Sequence, residues 1–203
     1  MISIIMGSTS DLPVMEKAAR LLEDLQVPFE IQALSAHRTP AEVEEFARTA
    51  ADRGVDVIIA AAGMAAALPG VIAANTTLPV IGVPIKGMLD GLDALLSIVQ
   101  MPPGIPVATV GVNGALNAAL LAVQMVALRD AELAQRFAAY KAGLKDKIVK
   151  ANEALAEEKK KYQYCEKLAG GSGFSGDSRD SRDSRNSRFS RDSRSSRNSG
   201  DSR

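Results

Sequence analysis

From Val57 to Ile85, and again from Ala94 to Leu128, the chain carries no charged side chain. Either stretch is long enough to cross a bilayer. The first, however, is broken by Gly63, Pro69, Gly70, Asn75, Pro79 and Pro84, which divides it into short pieces suited to a protein interior. Strands of a parallel sheet, covered on both faces by helices, read as continuous apolar runs of this kind. The charge-free helical stretches beside them predict buried faces and, in a body this small, a subunit interface. A membrane span is not expected.

The remaining pattern agrees. Apolar runs at Ile2 to Met6, Pro28 to Leu34, Val55 to Ala61, Leu78 to Val83 and Val107 to Val112 predict five strands. Helical spacing predicts helices over Leu12 to Leu25, Ala41 to Arg53, Leu92 to Val99, Ala115 to Leu128 and Asp130 to Lys167. In the first helix Leu12, Met15, Ala18, Ala19, Leu22 and Leu25 share one side. Ser10 or Asp11 is expected to cap it, and Thr39 with Pro40 to start the next. Strands alternating with helices give an α/β fold, a three-layer sandwich around a central parallel sheet with a long C-terminal helix. The loops after the first three strands are rich in small residues and share its carboxyl edge, where such sheets bind ligands.

One of these loops holds the single histidine of the 203 residues, in Ser35-Ala36-His37-Arg38-Thr39-Pro40. A titratable imidazole beside a fixed cation suits proton transfer next to a bound anion. It is equally compatible with a loop histidine and a surface charge. Gly7-Ser8-Thr9-Ser10-Asp11 follows the first strand and opens a helix, where backbone N–H groups and hydroxyls can hold a phosphate. Ala62-Gly63-Met64-Ala65-Ala66-Ala67-Leu68-Pro69-Gly70, after the third strand, lets a ligand approach the backbone closely or lets helices pack tightly. No cluster of His, Cys and carboxylates with metal-ligand spacing is present, so no metal is expected.

From Gly170 onward the composition changes to Gly, Ser, Arg, Asp and Asn with two Phe. Gly170-Gly171-Ser172-Gly173 reads as a linker, and an Asp-Ser-Arg repeat follows. Such a segment cannot bury enough apolar surface to order itself, so a disordered tail is expected. The domain division is therefore 1–168 for the α/β domain and 169–203 for linker and tail. The tail holds eight Arg against five Asp, which leaves the body slightly acidic in a chain of zero net charge. The body thus gives no electrostatic sign of nucleic-acid binding. The tail's mixed charges suggest weak self-association or RNA contact through multivalency. The lone Cys165 can form no intrachain disulfide, and Ile2 follows Met1 with no basic leader or cleavage site. Both point to the cytoplasm.

Taken together, several segments resemble one family, the class I phosphoribosylaminoimidazole carboxylases, or N5-carboxyaminoimidazole ribonucleotide mutases, of purine biosynthesis. They are Met6-Gly7-Ser8-Thr9-Ser10-Asp11, the His37 loop, Leu68-Pro69-Gly70 and Pro79-Val80-Ile81-Gly82-Val83-Pro84. Ser97-Ile98-Val99-Gln100-Met101-Pro102 and Gly104-Ile105-Pro106-Val107-Ala108-Thr109-Val110 belong to the same set. All occur in family order, over roughly residues 1 to 160. The segment from Lys86 to Asp93 looks most like archaeal members.

The resemblance implies a flavodoxin-like fold, a homo-octamer with sites built from more than one subunit, and a reaction without metal or cofactor. That reaction moves a carboxylate from the exocyclic nitrogen of an aminoimidazole ribonucleotide to ring carbon C4. By position it implies Ser8, Ser10 and Asp11 for phosphate and ribose, and Ser35 and Arg38 for phosphate. His37 would be the acid/base group, with Ala62, Gly63, Met64 and Leu68 lining the base and carbon dioxide pocket.

Where most members read Gly-Gly-Ala-Ala-His-Leu-Pro-Gly, this chain has Gly63-Met64-Ala65-Ala66-Ala67-Leu68-Pro69-Gly70. Ala67 replaces the family's second active-site histidine. Losing that substrate contact is expected to slow turnover, by orders of magnitude if the contact tightens in the transition state. The same departure supports a rival reading, a non-catalytic oligomeric scaffold that displays the tails.

Overall fold

The computed structural model describes residues 1–162. Five strands, β1 (Ile2–Met6), β2 (Phe29–Ala33), β3 (Val57–Gly63), β4 (Val80–Ile85) and β5 (Ala108–Thr109), form one parallel sheet in the order β2-β1-β3-β4-β5. This is the flavodoxin-like doubly wound order. Six helices complete the described chain: α1 (Leu12–Asp24), α2 (Pro40–Thr49), α3 (Leu68–Ala74), α4 (Leu92–Val99), α5 (Ala115–Ala127) and α6 (Ala131–Lys159). The α/β body, Met1–Glu153, is one compact unit, and a second begins at Ala154. Cys165, the expected helix end at Lys167, the 168/169 boundary and the tail lie outside the described residues.

The charge-free spans owe their composition to the sheet. β3 alternates with period 2 between two cores: Val57, Ile59 and Ala61 pack with α1 and α5, while Ile58, Ala60 and Ala62 pack with α2, α3 and α4. β1 and β4 are buried along their length, whereas the edge strand β2 is largely exposed. The central strands therefore have no face left for charge. At Gly82 a Cβ would stand 2.3 Å from Ile98 Cγ2, so glycine there lets α4 lie directly on β4. Along α1 and its cap, Met15, Ala18, Leu22 and Leu25 are buried as their spacing requires, Ala19 is half-buried, and Leu12 is exposed.

Apart from element ends that shift by a few residues, the structure differs from the sequence expectations at four places. The segment after β3 is not all loop. α3 starts at Leu68, because Pro69 in a first turn needs no N–H partner, and Gly70 leaves room for the Met101 thioether. The β5 ladder is two residues long instead of six. The Pro84 carbonyl accepts from the Asn113 N–H, so the N–H that proline lacks would have faced β5, and the ladder cannot continue there.

Neither expected cap forms. A 3-10 turn (Thr9–Asp11) precedes α1, and Ser8 Oγ accepts from Ser10 N at its start; Asp11 makes no cap bond. Thr39 does not cap α2 with its side chain. Its hydroxyl instead accepts from Ser35 N at 2.9 Å and donates to Ser35 O at 3.2 Å, so it is turned back toward the His37 loop and not onto the N–H groups of the helix.

Candidate active site

In this strand order β1 lies between β2 and β3, and the chain winds away from it in opposite directions. The loops at the carboxyl ends of β1 and β3 diverge there and leave a crevice. The loop after β2 closes a third side. The result is a cavity of about 310 Å³ lined by Ser8, Ser10 and Asp11 from the first loop, Ser35, His37 and Arg38 from the second, and Ala62, Gly63, Met64, Ala67 and Leu68 from the third. Every residue singled out from the sequence thus borders one cavity. Gly7, Ala36, Ala65 and Ala66 line it as well.

The His37 loop is rigidly built. The N–H groups of Arg38 and Thr39 both donate to Ser35 O, at 3.3 and 2.8 Å, and the Thr39 hydroxyl clamps the same residue from its side chain. The Arg38 Nη2 donates to the Gly7 carbonyl at 2.9 Å, and its Nε donates to Ser35 Oγ at 3.3 Å. One guanidinium therefore ties the second loop to the first across the cavity mouth. Neither the Gly7 carbonyl nor the structural role of Thr39 was evident from the sequence. A backbone acceptor leaves no residue-type signal, and Thr39 looks like an ordinary helix start.

His37 is exposed, and among the described residues its imidazole has no hydrogen-bond partner. It is free to meet a ligand. Asp11 is the opposite case, an acidic residue only 9% exposed. Burial pushes its pKa above the usual carboxylate value, while the Ser10 hydroxyl, a backbone hydrogen bond at Ser8 and the Arg38 charge pull the other way. Ser10 Oγ donates to its Oδ1 at 3.3 Å. On the third wall Met64 has φ +55° and a side chain that is 65% exposed, held in a turn by the Ala66 N–H, which donates to Met64 O at 2.8 Å.

Chemically, the cavity offers a fork of guanidinium donors with serine hydroxyls for an oxyanion, an acceptor for ligand hydroxyls at Asp11, and a free imidazole for proton transfer. Its third wall is small and apolar. Among the described residues no group of three or more His, Cys, Asp and Glu is placed to hold a metal ion. No described helix is long and apolar enough to cross a membrane.

Known proteins resemble this chain in sequence and in fold. The chain is 59% identical over 145 residues to an N5-carboxyaminoimidazole ribonucleotide mutase of Pyrococcus abyssi, spanning 71% of this chain and 83% of that protein. It is 52% identical over 157 residues to the mutase of Methanocaldococcus jannaschii, spanning 77% of this chain and 98% of that one. The crystal structure of Treponema denticola PurE superposes with a TM-score of 0.67 at 30% identity, covering 76% of this chain and 97% of that one. Residues 1–147 match the family described as AIR carboxylase, and with relatives of this identity and coverage the chain belongs to that family of purine-biosynthesis enzymes.

Proposed function

We propose that this protein is an N5-carboxyaminoimidazole ribonucleotide mutase in which His37 carries the proton transfers. The observation that supports this best is the unpartnered His37 imidazole on the same cavity as Arg38, Ser35, Ser8 and Asp11. In this reading the Arg38 fork, with the Ser8, Ser10 and Ser35 hydroxyls, takes the phosphate, and Asp11 accepts from a ribose hydroxyl. His37 gives its proton to the exocyclic nitrogen as the N–C bond of the carbamate breaks and carbon dioxide is released. The carbon dioxide stays against the apolar wall of Ala62, Gly63, Met64 and Leu68. Ring carbon C4 then forms a bond to it, and the neutral imidazole removes the C4 proton. One proton leaves His37 and one returns, so the step balances without a cofactor. An imidazole serves both directions because its ordinary pKa lies near neutrality.

Ala67 leaves one wall without the polar group of the family pattern. In this reading it lowers the rate without removing the chemistry, since the acid/base group is His37. A carboxylase acting on free carbon dioxide fits less well, because the segments noted above resemble the mutase class. The test is the ultraviolet interconversion of the two carboxylated ribonucleotides, approached from both sides, with no ATP and no added metal. Interconversion by the native chain, lost in His37→Ala, is the expected result. No spectral change at micromolar protein would overturn the reading.

The further properties proposed with it are an octameric assembly with shared sites, a cytoplasmic location and a 1–168 catalytic domain. The 169–203 appendage is proposed to associate weakly with itself or with RNA. A second reading, an inactive scaffold of this fold that displays its tails, is favoured specifically by Ala67 together with the linker-like Gly170 to Gly173. Light scattering that rises with concentration and falls with salt would support tail association; flat scattering at low salt would count against it.

A further inference from the structure

Met64 is an unexpected residue for its position. A φ of +55° lies in the left-handed region that glycine occupies freely and that strains a long side chain. The family pattern given above has glycine there. Nor does packing offset the strain in the free protein, because the Met64 side chain is 65% exposed. Strain kept at such a position points to a function.

The surroundings indicate which one. Met64 and Ala67 line the same cavity as His37. Relative to the family pattern, that wall has lost an imidazole and gained a flexible, polarizable arm. A thioether makes favourable contacts with aromatic rings and adapts its shape to them. The other strongly exposed apolar side chains near this edge, Met88 and Leu89, belong to the loop after β4 and are not part of the cavity lining.

Building on the mutase reading, we infer that Met64 is a positioning residue. Its thioether lies against the imidazole ring of the bound ribonucleotide. There it supplies the contact that Ala67 cannot make, and it keeps water from the ring while His37 transfers its proton.

The test uses Met64→Gly and Met64→Leu, each in the native chain and with Ala67→His. The readouts are calorimetric binding of aminoimidazole ribonucleotide, steady-state kinetics and melting temperature. Met64→Gly should melt no lower than the native protein, since it relieves strain. It should bind about tenfold more weakly, with KM rising more than kcat falls. Met64→Leu should restore binding to within about threefold. With Ala67→His present, Met64→Gly should cost about twofold or less, because the restored ring takes over the contact; this non-additivity is the signature of a coupled pair. Native-like binding by Met64→Gly, or an equal loss in both backgrounds, would overturn this inference and leave the mutase reading intact. A native chain that binds no ribonucleotide would overturn both.

Discussion

The two edges of the sheet carry cavities of opposite character. At the amino edge, a cavity of about 560 Å³ is lined by Met1, Gln26, Asp56, Arg129 and Arg136 among others. It is the larger of the two, yet its charged groups are paired. The Met1 amine donates to Asp56 Oδ2 at 2.7 Å and to Gly54 O at 3.2 Å, and Arg129 pairs with the same carboxylate. Arg136 Nε donates to Leu25 O at 2.9 Å, and Leu133 N donates to Asp130 Oδ1 at 2.9 Å. The one non-glycine residue there with positive φ, Gln26, follows the end of α1, where such a conformation is routine.

At the carboxyl edge the cavity is smaller, about 310 Å³. It keeps a free imidazole, a desolvated carboxyl and a strained methionine. Size does not single out the candidate site in this molecule. Chemistry that the fold leaves unfinished supports it.

If that contrast is sound, changes at the two edges should separate cleanly. The largest effect is expected from His37→Ala, which should lower kcat by about 10²–10⁴-fold, the usual range for a lost general acid/base. Its melting temperature should stay within about 1 °C of native, because the side chain is exposed and makes no hydrogen bond among the described residues. A comparable loss of stability would erase the distinction between the edges.

Next comes Arg38→Ala. Ribonucleotide affinity should fall by about 10–100-fold with the loss of charged donors. Arg38→Lys should recover only part of it, since an ammonium cannot reproduce the fork that reaches both Gly7 O and Ser35 Oγ. An unchanged KM in Arg38→Ala would remove phosphate binding from this residue.

Asp56→Ala is the converse experiment at the amino edge. It frees the Met1 amine and Arg129 together and should destabilise the fold by about 1–2 kcal/mol, read in a denaturant titration. Ribonucleotide affinity should not move. A change in affinity would mean the amino edge also serves the site.

The smallest effect sharpens the comparison from the carboxyl side. Burial raises the Asp11 pKa, so the folded state holds that proton more tightly than the unfolded chain. The stability this group contributes is therefore present in full below the ordinary value of 3.8 and lost as pH rises through the raised folded value. Asp11→Asn should accordingly melt slightly higher than native at pH 7, with the gain vanishing as pH falls below 3.8. It should also bind ribonucleotide more weakly. A variant less stable than native at pH 7 would mean that the hydrogen bonds to Asp11 outweigh its desolvation.

Much of this was legible in the sequence because burial dictates composition. β1 and α4 fall within the residues their patterns predict, since a strand covered on both faces and a helix between glycine and proline have few alternatives. The His37, Ser8–Asp11 and Ala62–Leu68 segments meet at one cavity because parallel topology brings the ends of β1, β2 and β3 together. What escaped depended on tertiary context. α3 was hidden by Pro69 and Gly70, which signal a turn equally well. β5 was shortened by a proline on its neighbour, not by its own residues. Thr39 is held by the loop it closes, and the Asp11 carboxyl accepts from Ser10 in place of the helix N–H groups. The Arg38 contact with a backbone carbonyl, and the strain at Met64, have no counterpart in residue type at all.

The most direct test of the account is the ultraviolet interconversion assay run on the native chain beside Ala67→His. The account predicts native turnover within about tenfold of the variant, because His37 carries the chemistry and Met64 supplies part of the lost contact. Turnover in Ala67→His with none in the native chain would contradict it, and would identify the protein as a disarmed member of its family.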